Sequence, residues 1–305
     1  MHVIGVKWTA KDDGFFDHGL LVRHNTGEYS FFRLHSRQHV SWKLMGPRQC
    51  IGYRSEDGKL VPCPEDSIVL KGVPRCGPCR AMDAFDDCIA CNGSNCRSSA
   101  ERYKKCKETE YVVYLAFFGA EGIKVGVSTK QRILTRWVEQ GADYGFELLK
   151  ITGGKLARQI EARITSIDGL RQAVHSKHKV KDIHIPVTEE VIMRNLVEVL
   201  ENPFLMSIAA RFDTDIESSK DRLQELSRYY GLENLGSRPV FWPPSGTVAG
   251  QVLLGEVVGM KGSLMISRIE NSFTVSDLKR LIGYKIDDTA QVRMVTQSAL
   301  SDFIN

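Results

Sequence analysis

The sequence predicts an α+β protein in three parts. Strand-like segments fill the first fifty residues, eight cysteines follow between Cys50 and Cys106, and a strand–turn–strand–helix pattern begins at Tyr111. Short apolar runs with glycine turns return after Pro239. We therefore expect an N-terminal β and zinc-cysteine module at 1–107, an α/β core with a helical extension at 108–235, and a small β-rich module at 236–305.

Composition and length bound the class of protein. The chain has 305 residues, of which 42% are hydrophobic and 26% charged, as in globular proteins long enough for two or three cores. It has no unbroken apolar run near the ~20 residues that span a bilayer, so a membrane-spanning helix is not expected. Its first residues lack the basic-then-apolar layout of a secretory signal, so we expect a cytoplasmic protein.

Charge is distributed unevenly along the chain. Residues 1–107 carry 17 Lys and Arg against 12 Asp and Glu, whereas residues 201–305 carry 11 against 13. The positive excess therefore coincides with the cysteine segment. It is either an ordinary solvated surface or a basic face that meets an anion.

The N-terminal strands are predicted from short apolar-rich runs. These runs are VIGVKW, HGLLVRH and YSFFRLH. The last two are separated by Asn25-Thr26-Gly27, which is typical of a hairpin turn.

The cysteines are spaced as metal ligands. Two C-x2-C turns, Cys76–Cys79 and Cys88–Cys91, would bring together the four sulfurs that tetrahedral zinc prefers. Disulfides suit small secreted domains, which this chain does not resemble. We predict structural Zn²⁺, one or two ions, although an iron–sulfur cluster is an alternative. The predicted ligands are Cys50, Cys63, Cys76, Cys79, Cys88, Cys91, Cys96 and Cys106.

Regular structure is predicted from Tyr111 onward. YVVYLAFF and IKVGVS are expected strands joined by a turn from Gly119 to Gly122. Ser128 resembles an N-cap that opens a helix reaching Gly141, and another helix should follow Gly153-Gly154 with a stripe of Leu156, Ile160 and Ile164. Residues 187–232 are expected to be helical, with breaks near Asn202-Pro203 and Asp213.

The core pattern resembles the GIY-YIG nuclease superfamily. Tyr114 lies twelve residues before Gly126, and a helix with two arginines follows. The resemblance implies a small antiparallel sheet flanked by helices, with Lys124 in place of the second motif tyrosine. It places the family's arginine at Arg136, with Arg132 one turn earlier, and its Mg²⁺-binding glutamate at Glu161. We expect Gly126 and Ser128 to take part in cofactor binding.

These residue types suit phosphodiester chemistry. A hydroxyl or amine, from Tyr114 or Lys124, would orient or deprotonate the attacking water. An arginine would stabilise the charge that develops on the phosphoryl group. Mg²⁺ at Glu161 would polarise the phosphoryl oxygen. Lysine is a poor base unless it is desolvated, so the substitution at position 124 weakens the nuclease interpretation.

A longer stretch resembles an uncharacterised protein family with a cysteine-rich front half. The match falls at several points with the same spacing, namely Cys96, Cys106, Tyr114-Leu115-Ala116, Lys124-Val125-Gly126, Arg136-Trp137 and Gln140-Gly141-Ala142. A later segment, Val258 to Gly262, resembles that family's LxGxKG motif. The resemblance implies no activity.

Three functions follow as hypotheses. The first is an enzyme that binds and processes nucleic acid, with structured RNA such as tRNA preferred over DNA because zinc knuckles and small β modules often accompany RNA work. The second is a non-hydrolytic RNA-binding module, and the third is an RNA-modifying enzyme that reuses the pocket. A basic run from His175 to His184 could contact phosphate, although such runs are commonly only solvated.

Overall fold

A computed structural model describes residues 1–181, 183–236, 239–241 and 252–289, and it has a mixed α+β architecture. The strands are β1 (His2–Ala10), β2 (Phe16–Arg23), β3 (Tyr29–Arg33), β4 (His39–Met45), β5 (Tyr53–Arg54), β6 (Leu60–Val61), β7 (Glu110–Phe118), β8 (Gly122–Thr129), β9 (Tyr144–Thr152), β10 (Leu170–Arg171), β11 (Gln224–Glu225), β12 (Val240–Phe241), β13 (Val252–Lys261), β14 (Leu264–Ile269), β15 (Ser272–Asp277) and β16 (Lys285–Asp287). The helices are α1 (Gly77–Met82), α2 (Asp86–Ala90), α3 (Ala100–Glu108), α4 (Ile133–Gln140), α5 (Gly154–Ile164), α6 (Ser176–Lys181), α7 (Glu189–Leu200) and α8 (Pro203–Phe212).

The N-terminal and C-terminal strands belong to one sheet. Its order in the described residues is β12-β15-β14-β13-β4-β16-β1-β2-β3, so β16 lies between β4 and β1. Strand β4 buries Val40, Trp42 and Leu44, and β13 and β16 pair with its two edges. The described strands of segments 1–107 and 236–305 therefore share one sheet, because β13 pairs with β4 and β16 with β1 across more than 200 residues, and no local pattern encodes that pairing.

The predicted N-terminal hairpin is confirmed. Strands β2 and β3 pair antiparallel, and Gly27 in the turn has a φ of 90°, in the left-handed region that favours glycine. A small two-stranded sheet of β5 and β6 follows in the cysteine segment.

The core sheet has the order β10-β8-β7-β9-β11, with β7 at its centre. Because both faces of β7 are covered, Val112 to Phe118 are all buried. One face, with Val113, packs against α5, α7 and α8. The other face, with Tyr114, packs against α4 and the nine-stranded sheet. This second contact joins the core to both ends of the chain.

The helix predictions were partly right. Helix α5 begins at Gly154 as expected, and its buried stripe is Ala157, Ile160 and Ile164, with Leu156 only partly buried. The N-cap prediction for Ser128 was wrong, because this residue lies inside β8 and α4 starts only at Ile133, after a 3-10 turn.

The helical extension is shorter than predicted. Helices α7 and α8 match the expected breaks, with Asn202 capping α8 and Asp213 ending it in a left-handed conformation. Residues 214–232 were predicted to be helical, but they contain only 3-10 turns and the short strand β11. Strand β9 was not predicted. None of the helices in the described ranges has the length and apolar composition needed to cross a membrane.

Candidate functional site

Four of the eight cysteines converge on one point. Within the described ranges, the sulfur atoms of Cys50, Cys63, Cys76 and Cys79 all lie within 4.8 Å of one another. Cys50 and Cys63 come from loops that flank the small β5–β6 sheet, whereas Cys76 precedes α1 and Cys79 lies within it. Three of the four are buried, so this is a closed cluster.

The geometry of this cluster fits a tetrahedral zinc ion. The Sγ atoms of Cys63 and Cys76 are 3.9 Å apart, close to the ~3.8 Å edge of a tetrahedron with Zn–S bonds of ~2.3 Å. The amides of Gly52 and Cys76 donate to Cys50 Sγ at 3.4 and 3.2 Å. Such bonds favour the thiolate form that binds metal. These residues therefore could hold the predicted structural Zn²⁺.

A buried carboxylate paired with two arginines lies beside the closed cluster. The Asp83 carboxylate is fully buried and lies 2.8 Å from Arg54 and 3.1 Å from Arg75. Burial alone would raise the pKa of Asp83, but Arg54, the Phe85 amide and Arg75 hold it below its ordinary value. Arg75 also donates to the carbonyl of Gly52, in the turn that follows the first ligand.

The grouping differs from the one suggested by the two C-x2-C turns. The cysteines of the first turn, Cys76 and Cys79, cluster with Cys50 and Cys63 and not with the second turn, Cys88–Cys91. The other four cysteines line a separate cavity of about 750 Å³. Spacing along the chain could not reveal this division, because the β5–β6 hairpin brings Cys50 and Cys63 beside α1.

In the core, Tyr114 and Gly126 form one packed unit. They are directly paired across β7 and β8, and the Tyr114 ring covers the glycine so closely that a Cβ at position 126 would lie 2.4 Å from Cζ. The Tyr114 hydroxyl accepts a hydrogen bond from Gln140 Nε2 at 2.7 Å, and burial raises its pKa. Gly126 is thus required by packing against Tyr114.

A cationic cavity of about 380 Å³ opens beside this unit. Lys124 and Arg136 line it, together with Glu139 and Gln140 of α4. The remaining lining residues come from other parts of the chain, namely Val6, Trp8, Phe118, Ala173, Val174, Lys179, Ser263 and Lys279. Four cations therefore face one carboxylate, which makes the cavity suited to an anion.

Two of these lysines are strongly perturbed. Burial and the nearby Arg136 lower the pKa of Lys124 from 10.5 to about 8. Burial and Lys279 lower the pKa of Lys179 to about 7. Lys179 also donates to the Gln140 carbonyl at 2.6 Å, which fixes its position at the end of α4. Lys124 is thus desolvated, which is the condition under which a lysine can act as a base.

The other predicted residues lie around the cavity rather than in its lining. Glu161 is half-buried on α5, where burial raises its pKa and the charges of Arg158, Lys124 and Arg136 oppose that rise. Arg132 is exposed and pairs with Glu139 at 3.1 Å. Ser128 is buried within β8.

Most residues that line the cavity were not predicted as site residues, among them Lys179, Lys279 and Gln140. Lys179 lies in α6, within the basic run from His175 to His184, so that pattern did contain a usable signal. Lys279 follows β15, and no local feature distinguishes it. Gln140 is about nine-tenths buried, and its Oε1 has no hydrogen-bond partner in the structure.

A close contact between two glycines joins the core to the nine-stranded sheet. Gly141 ends α4 with a φ of 70°, and a Cβ there would lie 2.9 Å from the amide nitrogen of Gly262. Gly262 in turn accepts a hydrogen bond from Trp8 Nε1 at 2.7 Å, and the neighbouring Lys261 pairs with Asp143. This contact places Trp8, Ser263 and Lys279 around Lys124 and Arg136.

Comparison with known proteins places the chain in a family. No curated protein and no solved structure matches it. A family of proteins of unknown function does match, over residues 38–286. This range includes the closed cysteine cluster, the core and every residue that lines the cationic cavity except Val6 and Trp8 of β1. The chain therefore belongs to the DUF2797 family of proteins of unknown function.

Proposed function

We propose that this protein binds and processes structured RNA, such as tRNA, at the cationic cavity, through a GIY-YIG-like phosphodiester site. The observation that carries the proposal is the convergence of Lys124, Arg136, Lys179 and Lys279 on a cavity large enough for a phosphate and part of a nucleotide. Nucleic-acid affinity comes largely from such contacts to phosphate.

The side chains suit the chemistry that the resemblance implies. With a pKa of about 8, Lys124 has a neutral fraction near pH 7 and can exchange a proton with water. Arg136 is permanently charged and would stabilise a phosphoryl group as negative charge develops on it. Tyr114 acts through position, since its ring holds β8 and its hydroxyl orients Gln140.

Glu161 could hold Mg²⁺ only together with substrate. It is a single carboxylate with Arg158, Lys124 and Arg136 as its charged neighbours. Mg²⁺ is commonly bound by one or two carboxylates plus substrate phosphates, so this donor set fits when phosphate oxygens complete it. When bound, Mg²⁺ would polarise the phosphoryl oxygen and the leaving group.

One observation favours a non-hydrolytic RNA-binding module as the second candidate. The Tyr114 hydroxyl is buried against Gln140 and does not line the cavity, so it cannot reach a phosphate without rearrangement. An RNA-modifying enzyme that uses the same pocket would need no such reach.

Incubation of the protein with labelled total tRNA and with duplex DNA, in Mg²⁺ and in EDTA, tests the proposal. We expect Mg²⁺-dependent cleavage of tRNA that is lost in Glu161→Ala and retained in Glu190→Ala, a control at an exposed glutamate of α7. Tight binding without cleavage would favour the binding module. Absence of both binding and cleavage would contradict the proposal.

A further inference from the structure

The cysteines outside the closed cluster share one cavity. Cys88, Cys91, Cys96 and Cys106 line the space of about 750 Å³ beside α5. None of them is buried and Cys96 is exposed, in contrast to the closed cluster. Among the described residues these sulfur atoms are less tightly gathered than those of the closed cluster, since no three of them lie within 4.8 Å of one another.

The two sets share a local geometry. In the closed cluster, Cys50-Ile51-Gly52 forms a turn in which the amide of Gly52 donates to Cys50 Sγ at 3.4 Å. In the second set, Cys91-Asn92-Gly93 forms the same turn, with Gly93 donating to Cys91 Sγ at 3.4 Å. Both glycines are left-handed, with φ of 82° and 84°. The same thiolate-stabilising turn therefore occurs once in each set of four.

Helix α5 holds this second set in place. The Gly93 carbonyl accepts a hydrogen bond from Gln159 at 2.8 Å, and Arg158 donates to the Cys88 carbonyl at 3.3 Å. At the start of the helix, a Cβ on Gly154 would lie 2.7 Å from Cys106 Sγ. Both ends of the set thus rest on the helix that carries Glu161.

We propose that Cys88, Cys91, Cys96 and Cys106 bind a second zinc ion in an open, exchangeable site. Four cysteine thiolates around one cavity supply the donor set that zinc prefers, and the loop 88–99 would bring the sulfur atoms closer together around the ion. Solvent reaches Cys96 and the cavity, so small chelators and thiols reach the bound ion without unfolding of the protein. Loss of this ion would release the loop 88–99 from α5 while the closed site stays intact.

Zinc release from the purified wild-type protein tests the proposal. Total metal analysis should give two zinc ions per chain. A chelator with a colorimetric readout should remove one of them about tenfold or more faster than the other, because release of the closed ion requires local opening. A single zinc per chain, two equivalents leaving at one rate, or iron with visible absorbance would overturn it.

Variants assign the fast phase. In Cys88→Ser/Cys91→Ser, one zinc should remain and the fast phase should vanish, whereas Cys96→Ser should keep two ions and accelerate the fast phase. Circular dichroism checks that each variant is folded. Retention of both phases in the folded double variant, or a disulfide between Cys88 and Cys91 found by thiol counting in the native protein, would contradict the open zinc site. If the double variant fails to fold, the wild-type release kinetics decide.

Discussion

At the scale of single residues, the site depends on contacts that leave no spare volume. The ring of Tyr114 fills the space over Gly126, and the carboxylate of Asp83 is enclosed by two arginines. In each contact the size or charge of one residue limits which residue can occupy the partner position. Substitution of either partner should therefore cost more than its surface exposure alone would suggest.

Gly126→Ala should destabilise the protein by about 1–3 kcal/mol, since its methyl group would overlap the Tyr114 ring within β7 and β8. Chemical denaturation measures the free energy of unfolding. Gly5→Ala is the matched control, because a Cβ at that position of β1 meets nothing within 4 Å. Equal effects of the two substitutions would contradict the packing argument.

Asp83→Ala should lower the free energy of unfolding by about 3 kcal/mol, because it leaves Arg54 and Arg75 without their buried partner. Asp86→Ala removes a partner of the exposed Arg80 and should cost less than about 1 kcal/mol. Thermal unfolding of both variants, compared with zinc content, measures the difference. Unchanged thermal stability and zinc content in Asp83→Ala would show that the ion pair does not stabilise the cysteine cluster.

At the scale of elements, strand pairing and helix ends determine which side chains line the cationic cavity. Helix α6 supplies Lys179, and the turn between β13 and β14 meets the end of α4 at Gly141. The cationic cavity therefore forms only when α6, the β13–β14 turn and α4 are packed together.

The sequence predicted β7, β8 and α5 because their apolar periods and flanking glycines are local. It did not predict β9, and it placed a cap at Ser128 that belongs to a strand. It named Lys124 and Arg136 but not Lys279, whose position depends on the β15 strand and the contact at Gly262. Local patterns cannot predict contacts between distant parts of the chain, such as the one between Gly141 and Gly262.

The cavity's affinity for anions should fall as pH rises. Lys179 and Lys124, with pKa values of about 7 and 8, lose their charge between pH 6.5 and 9. tRNA binding at constant ionic strength should weaken about tenfold over that range, with the salt slope falling by about one to two. Lys124→Arg should keep its charge and flatten the upper part of the profile. A pH-independent affinity would contradict this assignment.

At the scale of the whole molecule, the first strand and the last described strand share one sheet. β16 lies between β4 and β1, and His2 contacts the Gly283 carbonyl at 3.2 Å across that junction. Nearby in the same sheet, His18 packs on Trp8 with ring centroids 4.7 Å apart. Acid should therefore act on the sheet that unites the molecule.

Stability should fall between pH 6.5 and pH 4. Burial lowers the pKa of His18 from 6.5 to about 4, so the unfolded chain binds the extra proton in that window and stability decreases as pH falls. From pH 7 to pH 5 this group should remove about 2 kcal/mol. His18→Phe should reduce the loss, since neither ring nitrogen of His18 has a hydrogen-bond partner in the structure. The exposed His39→Phe is the control, and equal pH profiles for both variants would contradict the assignment.

The most direct test of the central claim is the equilibrium binding of labelled tRNA to the protein in which Lys124→Met and Arg136→Gln are combined. The control combines Lys71→Met and Arg211→Gln, two exposed cations outside the cavity, and changes the net charge equally. If the cavity is the phosphate-binding site, the first variant should bind at least about tenfold more weakly than the control at the same salt concentration. Equal affinity of the two variants would show that the nucleic acid, if it binds, does so elsewhere.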